Sequence, residues 1–292
     1  MEYVNIFKKK NCIIIGLLLF VFMIIGSFYD YQISTVLLNQ KSTFGILLAS
    51  YGQVPAMLCF SIGGTLLMKI TSLQNKVKLV ISYTFGILLN AFAIMGITMD
   101  PMLYMDGMSM ALSLIIAVAL VLIVDVIFLK LTRNANRDQL KKFVILILGV
   151  VLIEIILINI IKVPWARPRM RMIATNGEAS FQPWWIIGSN IKENLMALGV
   201  AAEEFKSFPS GHTGNAACAI LLGALPLISN NLKGKEDMLF FIGVAFTFIV
   251  AFSRVIMGAH FLTDVTVGMS LTFIIEVILI FILWKRGEGQ NE

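Results

Sequence analysis

The chain has 292 residues, of which 58% are hydrophobic and 14% charged, with a mean hydropathy of +0.88. A water-soluble domain carries roughly 25% charged residues, so this composition excludes an ordinary soluble enzyme and places most of the chain in a bilayer. The net charge of +6 is spread over short juxtamembrane runs; it excludes a nucleic-acid-binding surface and suits contact with anionic lipid headgroups.

A transmembrane helix needs about 20 mostly apolar residues. In chain order the qualifying stretches are about 12–29, 44–68, 79–98, 109–129, 143–161, 212–229, 238–257 and 261–284. They predict an all-α polytopic membrane protein of about eight transmembrane helices. The first stretch follows lysines at 8–10 and has no small-residue cleavage site after it, so it reads as a retained signal-anchor helix. The segment 99–108 holds Asp100 and Asp106 but no lysine or arginine, and its methionines are expected to pack at the interface rather than bind metal. The longest interruption, about 171–211, contains Trp184-Trp185. Such a pair favours the membrane interface, either as a flap beside a site or as a plain connector.

Charge gives the expected sidedness. With the N-terminus inside, most of the 23 basic residues fall on cytoplasmic segments, and the first two outer loops hold just Lys41. The positive-inside rule then predicts an even number of spans with both termini cytoplasmic, including a tail at 285–292. It also leaves a cationic cluster on the outer face, where cations are otherwise scarce. Binding an anion would account for it.

Cys12, Cys59 and Cys218 show no metal spacing and read as small buried apolar residues. Glu154, Glu276 and Asp125 fall in predicted spans, where a charge is expensive. Structural hydrogen bonds between helices are expected for all three.

Both histidines of the chain sit in motifs suited to phosphate. Pro209-Ser210-Gly211-His212 lies just before an apolar run. A helix starting there presents free backbone N–H groups, Ser210 can cap it or donate its hydroxyl, and Gly211 allows close approach. The same residues also fit an ordinary Ser-Gly cap with an interfacial histidine. His260 and Asp264 are four residues apart, which on a helix puts them on one face. A carboxylate bonded to one ring nitrogen would leave the other free to attack phosphorus; alternatively the pair simply joins two helices. Arg254 could present a planar guanidinium to two phosphate oxygens. Lys162, Arg167 and Arg169 close the fifth apolar run, either snorkelling or facing an anion. With an even number of spans, all three segments reach the outer interface.

Together these residues resemble the signature of the type 2 phosphatidic acid phosphatase superfamily, the membrane lipid phosphate phosphatases related to vanadium haloperoxidases. The Pro-Ser-Gly-His element at 209–212 and the Ser-Arg-x5-His-x3-Asp element at 253–264 match residue for residue. The Lys-x6-Arg-Pro element matches from Lys162 to Arg169, but Met170 stands where the family has proline. The resemblance covers the last four spans, 142–284, and leaves 1–141 as N-terminal helices of unassigned role.

The resemblance implies that His260 is the nucleophile, oriented by Asp264, and that His212 is the general acid. It implies Lys162, Arg169, Ser210, Gly211 and Arg254 as phosphate ligands, with Arg167 as a possible auxiliary cation. No metal or other cofactor is expected, because fixed cations would take the place of magnesium and no carboxylate cluster is apparent. The expected activity is removal of the terminal phosphate from a lipid phosphate or diphosphate at the extracytoplasmic face of the cell membrane. Polyprenyl diphosphate is favoured, with phosphatidic acid or phosphatidylglycerol phosphate next. The rival readings are a lipid phosphotransferase using the same site and a non-catalytic lipid-binding or transport protein.

Overall fold

The computed structural model describes residues 7–72 and 74–285. Its main helices are α1 (Lys9–Leu37), α2 (Thr43–Tyr51), α3 (Val54–Ile70), α4 (Lys76–Tyr104), α5 (Met110–Leu131) and α6 (Arg137–Trp165). Two short ones follow, α7 (Met170–Ile173) and α8 (Lys192–Ala197), then α9 (Gly211–Ala217), α10 (Glu236–Ile256) and α11 (Leu262–Lys285). Among the described residues, seven helical segments are long and apolar enough to cross a bilayer. Most of the expected tail, 286–292, lies outside the described residues.

The sixth expected span takes a different form. Residues 212–229 begin in α9 and continue as a 3₁₀ helix, Cys218–Leu227. A 3₁₀ helix rises about 2.0 Å per residue against 1.5 Å in an α-helix, so this short segment still reaches roughly 30 Å, the thickness of the hydrocarbon core. Hydropathy registers apolar length and is blind to helix type. The segment can be slender because other helices surround it: Cys218, Ile220, Leu221, Ala224 and Leu225 are all buried. Against it packs α10, at Gly243. A Cβ there would lie 2.5 Å from the carbonyl carbon of Ala219 and 2.6 Å from the Cα of Ile220.

The second expected span is broken between α2 and α3 at Gly52-Gln53. Pro55 occupies the first turn of α3, where its missing N–H costs nothing and its fixed φ favours a helix start. The break turns Gln53 towards the interior.

Two apolar cores hold the bundle together. Leu66 of α3, Val121 of α5 and Leu146 and Val150 of α6 meet the 3₁₀ segment in one. Ile15 and Leu19 of α1 meet Ile220, Phe240 of α10 and Met269 of α11 in the other. Elsewhere α1, α4 and α5 expose Leu17, Phe20, Val77, Leu103 and Ile115, as helices facing lipid do.

Of the three carboxylates expected to bond between helices, Asp125 does so. It accepts from Ser61 and Thr65 of α3, each at 2.7 Å. Glu276 departs from the expectation: it is fully buried and neither oxygen has a hydrogen-bond partner. Glu154 departs in part, with Oε2 unpartnered and the carboxyl pressed against Gly214.

Replacing Gly243 by valine should force α10 away from the 3₁₀ segment. The expected loss is about 1–3 kcal/mol, seen as a lower melting temperature in detergent.

Candidate active site

α6 ends at Ala166, which takes the left-handed conformation with φ of 48°. Pro168 disfavours helical geometry for the residue before it, so the chain leaves the helix carrying Lys162, Arg167 and Arg169 near its end. Ser210 caps α9 by accepting from Thr213 N, which sets Gly211 and His212 in the first turn. Arg254 lies in the last turn of α10, His260 in the connection that follows, and Asp264 in the first turn of α11.

These segments converge. A Cβ on Gly211 would stand 3.4 Å from Lys162 Nζ. Arg169, Lys162 and Arg254 all lie close enough to act on the His260 imidazole, and the same three act on His212. Burial first, and then these cations, hold the His260 imidazole well below the ordinary histidine range, so it is neutral at neutral pH. Arg254 is 1% exposed, yet its Nε and Nη1 have no hydrogen-bond partner. Arg169 donates through Nη2 to Glu203 at 2.7 Å, while its Nε is unpartnered. Buried guanidinium N–H groups without acceptors are costly unless an anion completes them. Lys162, Arg169 and Arg254 gather around the two histidines, with Glu203 bonded to Arg169, and this excess of cations suits a phosphate rather than a metal ion.

His260 is held differently from what its spacing suggests. Its Nδ1 lies 2.6 Å from the carbonyl of Ser207 and 3.9 Å from Asp264 Oδ2. A carbonyl can only accept, so Nδ1 carries the proton and Nε2 keeps its lone pair. The longer distance is not a hydrogen bond. His260 precedes α11 rather than belonging to it, and the helical four-residue rule therefore does not bring the two side chains into contact. Asp264 Oδ2 instead accepts from Ser207 Oγ at 2.5 Å and from Phe261 N at 2.8 Å. It orients the ring through Ser207.

Arg167, expected as an auxiliary cation for the anion, is satisfied within the protein. Its guanidinium is wholly buried and donates to Asp264, to Thr263 Oγ1 at 2.9 Å, to Asp30 Oδ2 at 2.9 Å and to Gln182 O at 2.8 Å. It also lies 4.3 Å from the ring centroid of Phe261. Of the two neighbouring arginines, Arg169 is the one with a free buried donor.

The long connection 171–211 is fastened down beside the site. Trp184 Nε1 donates to Ser27 of α1 at 2.9 Å, and Trp165 Nε1 donates to the Trp184 carbonyl at 2.5 Å. Trp185, by contrast, is 54% exposed.

Sequence reasoning missed several contributors, most from the N-terminal spans. Asp30 of α1 pairs with Arg167, and Ser207 fixes His260. His212 is enclosed by Ala49 of α2, by Gln53 and by Tyr104 of α4. Asp30 falls just past the first apolar run, where an acidic residue near the membrane is a signal in itself. Nothing local marks the others.

Fold and site thus define a polytopic helical membrane protein with a buried cationic cluster around two histidines. The PAP2 superfamily model matches residues 143–288, half of the chain, and the chain belongs to that superfamily. It is similar to phosphatidylglycerophosphatase B of Bacillus subtilis (strain 168), with 40% identity over 85 residues. That alignment spans 27% of this chain and 37% of the relative, so well under two thirds of the relative's length is matched. No solved structure matches the chain.

Removing the Asp30 carboxylate leaves Arg167 Nη2 and the backbone N–H of Thr263 without their acceptor, while Asp264 still balances the guanidinium charge. Asp30→Ala is expected to destabilise the protein by about 1–3 kcal/mol for each buried donor left unmet, read as a fall in the detergent melting temperature.

Proposed function

We propose that the protein is an integral-membrane phosphatase that removes the terminal phosphate from a lipid phosphate or diphosphate without a metal ion. The observation that carries this reading is the set of unpartnered buried guanidinium N–H groups facing a neutral His260. Membership of the PAP2 superfamily supports it.

In this reading, Lys162, Arg169, Arg254, the Ser210 hydroxyl and the backbone N–H groups at Gly211 hold the phosphate oxygens. His260 Nε2 attacks phosphorus in line with the leaving lipid oxygen. An N–P bond forms, the P–O bond to the lipid breaks, and His212 gives a proton to the departing oxygen. Water then attacks the phosphohistidine and gives its proton to His212, which releases inorganic phosphate and restores His260. Phosphoryl transfer asks mainly for positioning and charge stabilisation, and the three cations supply both. Asp264 and Ser207 keep Nδ1 protonated, so the attacking lone pair stays on Nε2.

The name of the Bacillus subtilis relative puts phosphatidylglycerol phosphate beside polyprenyl diphosphate as the first substrates to try. Phosphatidic acid comes next. The distribution of lysine and arginine supports an extracytoplasmic site with both termini cytoplasmic.

Phosphate release by the detergent-purified protein, with chelator present, tests the activity on these three lipids. Wild type should turn over, His260→Ala should lose all activity, and His212→Ala should lose about 10²–10⁴-fold, the usual contribution of a general acid. Because His260 stays neutral, kcat/KM should hold steady on the acid side until the pH is below about 6.5, the ordinary histidine value. Release that requires added metal, or survives His260→Ala, would overturn the mechanism. Transfer of phosphate to another lipid with little free phosphate would make the protein a phosphotransferase.

Sidedness has its own test. A cysteine replacing the exposed Trp185 should react with an impermeant maleimide in intact cells. Labelling after permeabilisation alone would place the site on the cytoplasmic side.

A further inference from the structure

A second concave site lies at the end of the bundle opposite the histidines. It is a cavity of about 280 Å³ between the turn joining α5 to α6 and the residues that follow the 3₁₀ segment. α6 starts beside this cavity and carries Lys162 near its other end, so at about 1.5 Å per residue the two sites stand roughly 40 Å apart.

Three cations line the cavity, Lys130 at the end of α5, Arg133 in the turn and Lys233 beyond the 3₁₀ segment, and no carboxylate does. Neighbouring cations are already engaged. Lys69 donates to the Thr132 carbonyl at 2.7 Å and to Thr132 Oγ1 at 2.8 Å. Arg137 Nε donates to the Ile70 carbonyl at 2.9 Å, and Lys141 pairs with Asp138 at 2.8 Å. The bonds of Lys69 and Arg137 tie the turn to the end of α3, so this wall is fixed in place. Among the described residues, the side chains of Lys130, Arg133 and Lys233 have no such partner.

Ser229 independently points to a ligand. It lines the cavity and is 4% exposed, yet its hydroxyl has no hydrogen-bond partner. A buried hydroxyl left unmet is costly unless a ligand completes it. Asn136 also lines the cavity. Its Oδ1 caps α6 by accepting from Asp138 N at 2.8 Å, which leaves its amide N–H groups as donors. Donors and positive charge without a carboxylate describe a site for an anion, and a phosphate can accept from several of them at once.

The remaining wall is apolar, formed by Leu131, Pro226 and Ile228. One turn before Lys130 and Leu131, Ile127 is exposed on the same face of α5, as a side chain facing lipid is. A phosphate seated in the cavity can carry acyl chains along that face. This continuity favours a lipid phosphate over a dissolved one.

We propose that the cavity binds the phosphodiester headgroup of an anionic phospholipid, with Lys130, Arg133 and Lys233 around the phosphate and the Ser229 hydroxyl donating to one of its oxygens. The lipid bridges the α5–α6 turn and the foot of the segment whose other end, α9, carries His212.

The catalytic cluster also suits phosphate, so binding is measured on full-length protein carrying Arg254→Gln, delipidated in non-ionic detergent. The probe is phosphatidylglycerol with a photoreactive headgroup, and the labelled peptides are mapped. Labels should fall within 126–139 and 226–233. Plain phosphatidylglycerol should compete and diacylglycerol should not. Glycerol 3-phosphate should compete far more weakly, having no chains to bury.

Lys130→Gln, Arg133→Gln and Lys233→Gln together should weaken binding by about 100-fold, the worth of three basic residues at an anionic lipid surface. All three are exposed, so this variant should melt with its parent. Ser229→Ala should weaken binding by about 3- to 10-fold. Lys10, Lys76 and Lys78 are exposed at the same end but outside the cavity. Changing these three to glutamine should weaken binding by less than about threefold, because screened attraction fades with distance. An equal loss in that control would mean general surface attraction and overturn the proposal. So would labels confined to other segments, or glycerol 3-phosphate competing as well as the lipid, which would make the ligand a dissolved phosphate. No arm involves turnover, so the outcome is separate from that of the phosphatase reading.

Discussion

One guanidinium, that of Arg167, ties together parts of the chain that are far apart in sequence. Its partners are Asp30 in α1, Thr263 and Asp264 at the start of α11, and the Gln182 carbonyl in the long connection. From Asp264 the order passes to Ser207, and from the Ser207 carbonyl to Nδ1 of His260. Burying a charge of this kind costs least when every donor is met, and a network that is fully met favours a single arrangement. The His260 ring therefore inherits its orientation from a cation whose own donors are met within the protein.

Three arginines within or next to the motifs show how environment divides one residue type into separate roles. Arg167 is closed on all sides by carboxylates and carbonyls. Arg169 is half closed, held by Glu203 on one nitrogen and open on another. Arg254 is buried with two nitrogens open, beside the ring of Tyr104. Burying open donors costs stability in the free protein, and the strained account is settled when a ligand accepts from them.

Phosphate chemistry restricts residue type and spacing, and the segments that carry His212, His260 and Arg254 come together in the fold. The spans were legible because a bilayer imposes a length. What escaped was whatever depends on a distant partner. Arg167 and Arg169 are separated by one proline, and what distinguishes them is Asp30, which lies 137 residues from Arg167 and which no local pattern connects to it. In sequence Gln53 is one polar residue within an apolar run, and the break between α2 and α3 is what turns it inwards. The Asp264–His260 spacing misled for a local reason, since the helix begins after the histidine. The 3₁₀ form of the segment expected as the sixth span was hidden because composition cannot report the hydrogen-bond pitch.

The Asp30–Arg167 pair also bears on how the protein is made. Asp30 enters the membrane with the first helix, whereas its partner lies 137 residues later in the chain. At about 5–20 residues per second of synthesis, the carboxylate waits roughly 7–27 s for its counter-ion. An aspartate in mid-bilayer costs about 2.5–3.5 kcal/mol on the insertion scale, and Asp30 sits towards the far end of α1, where the cost is lower. Until the segment after α6 emerges, the Asp30 carboxylate has no Arg167 to pair with. Arrival of Arg167 fixes its depth. The last step in seating the first helix is the synthesis of the sixth.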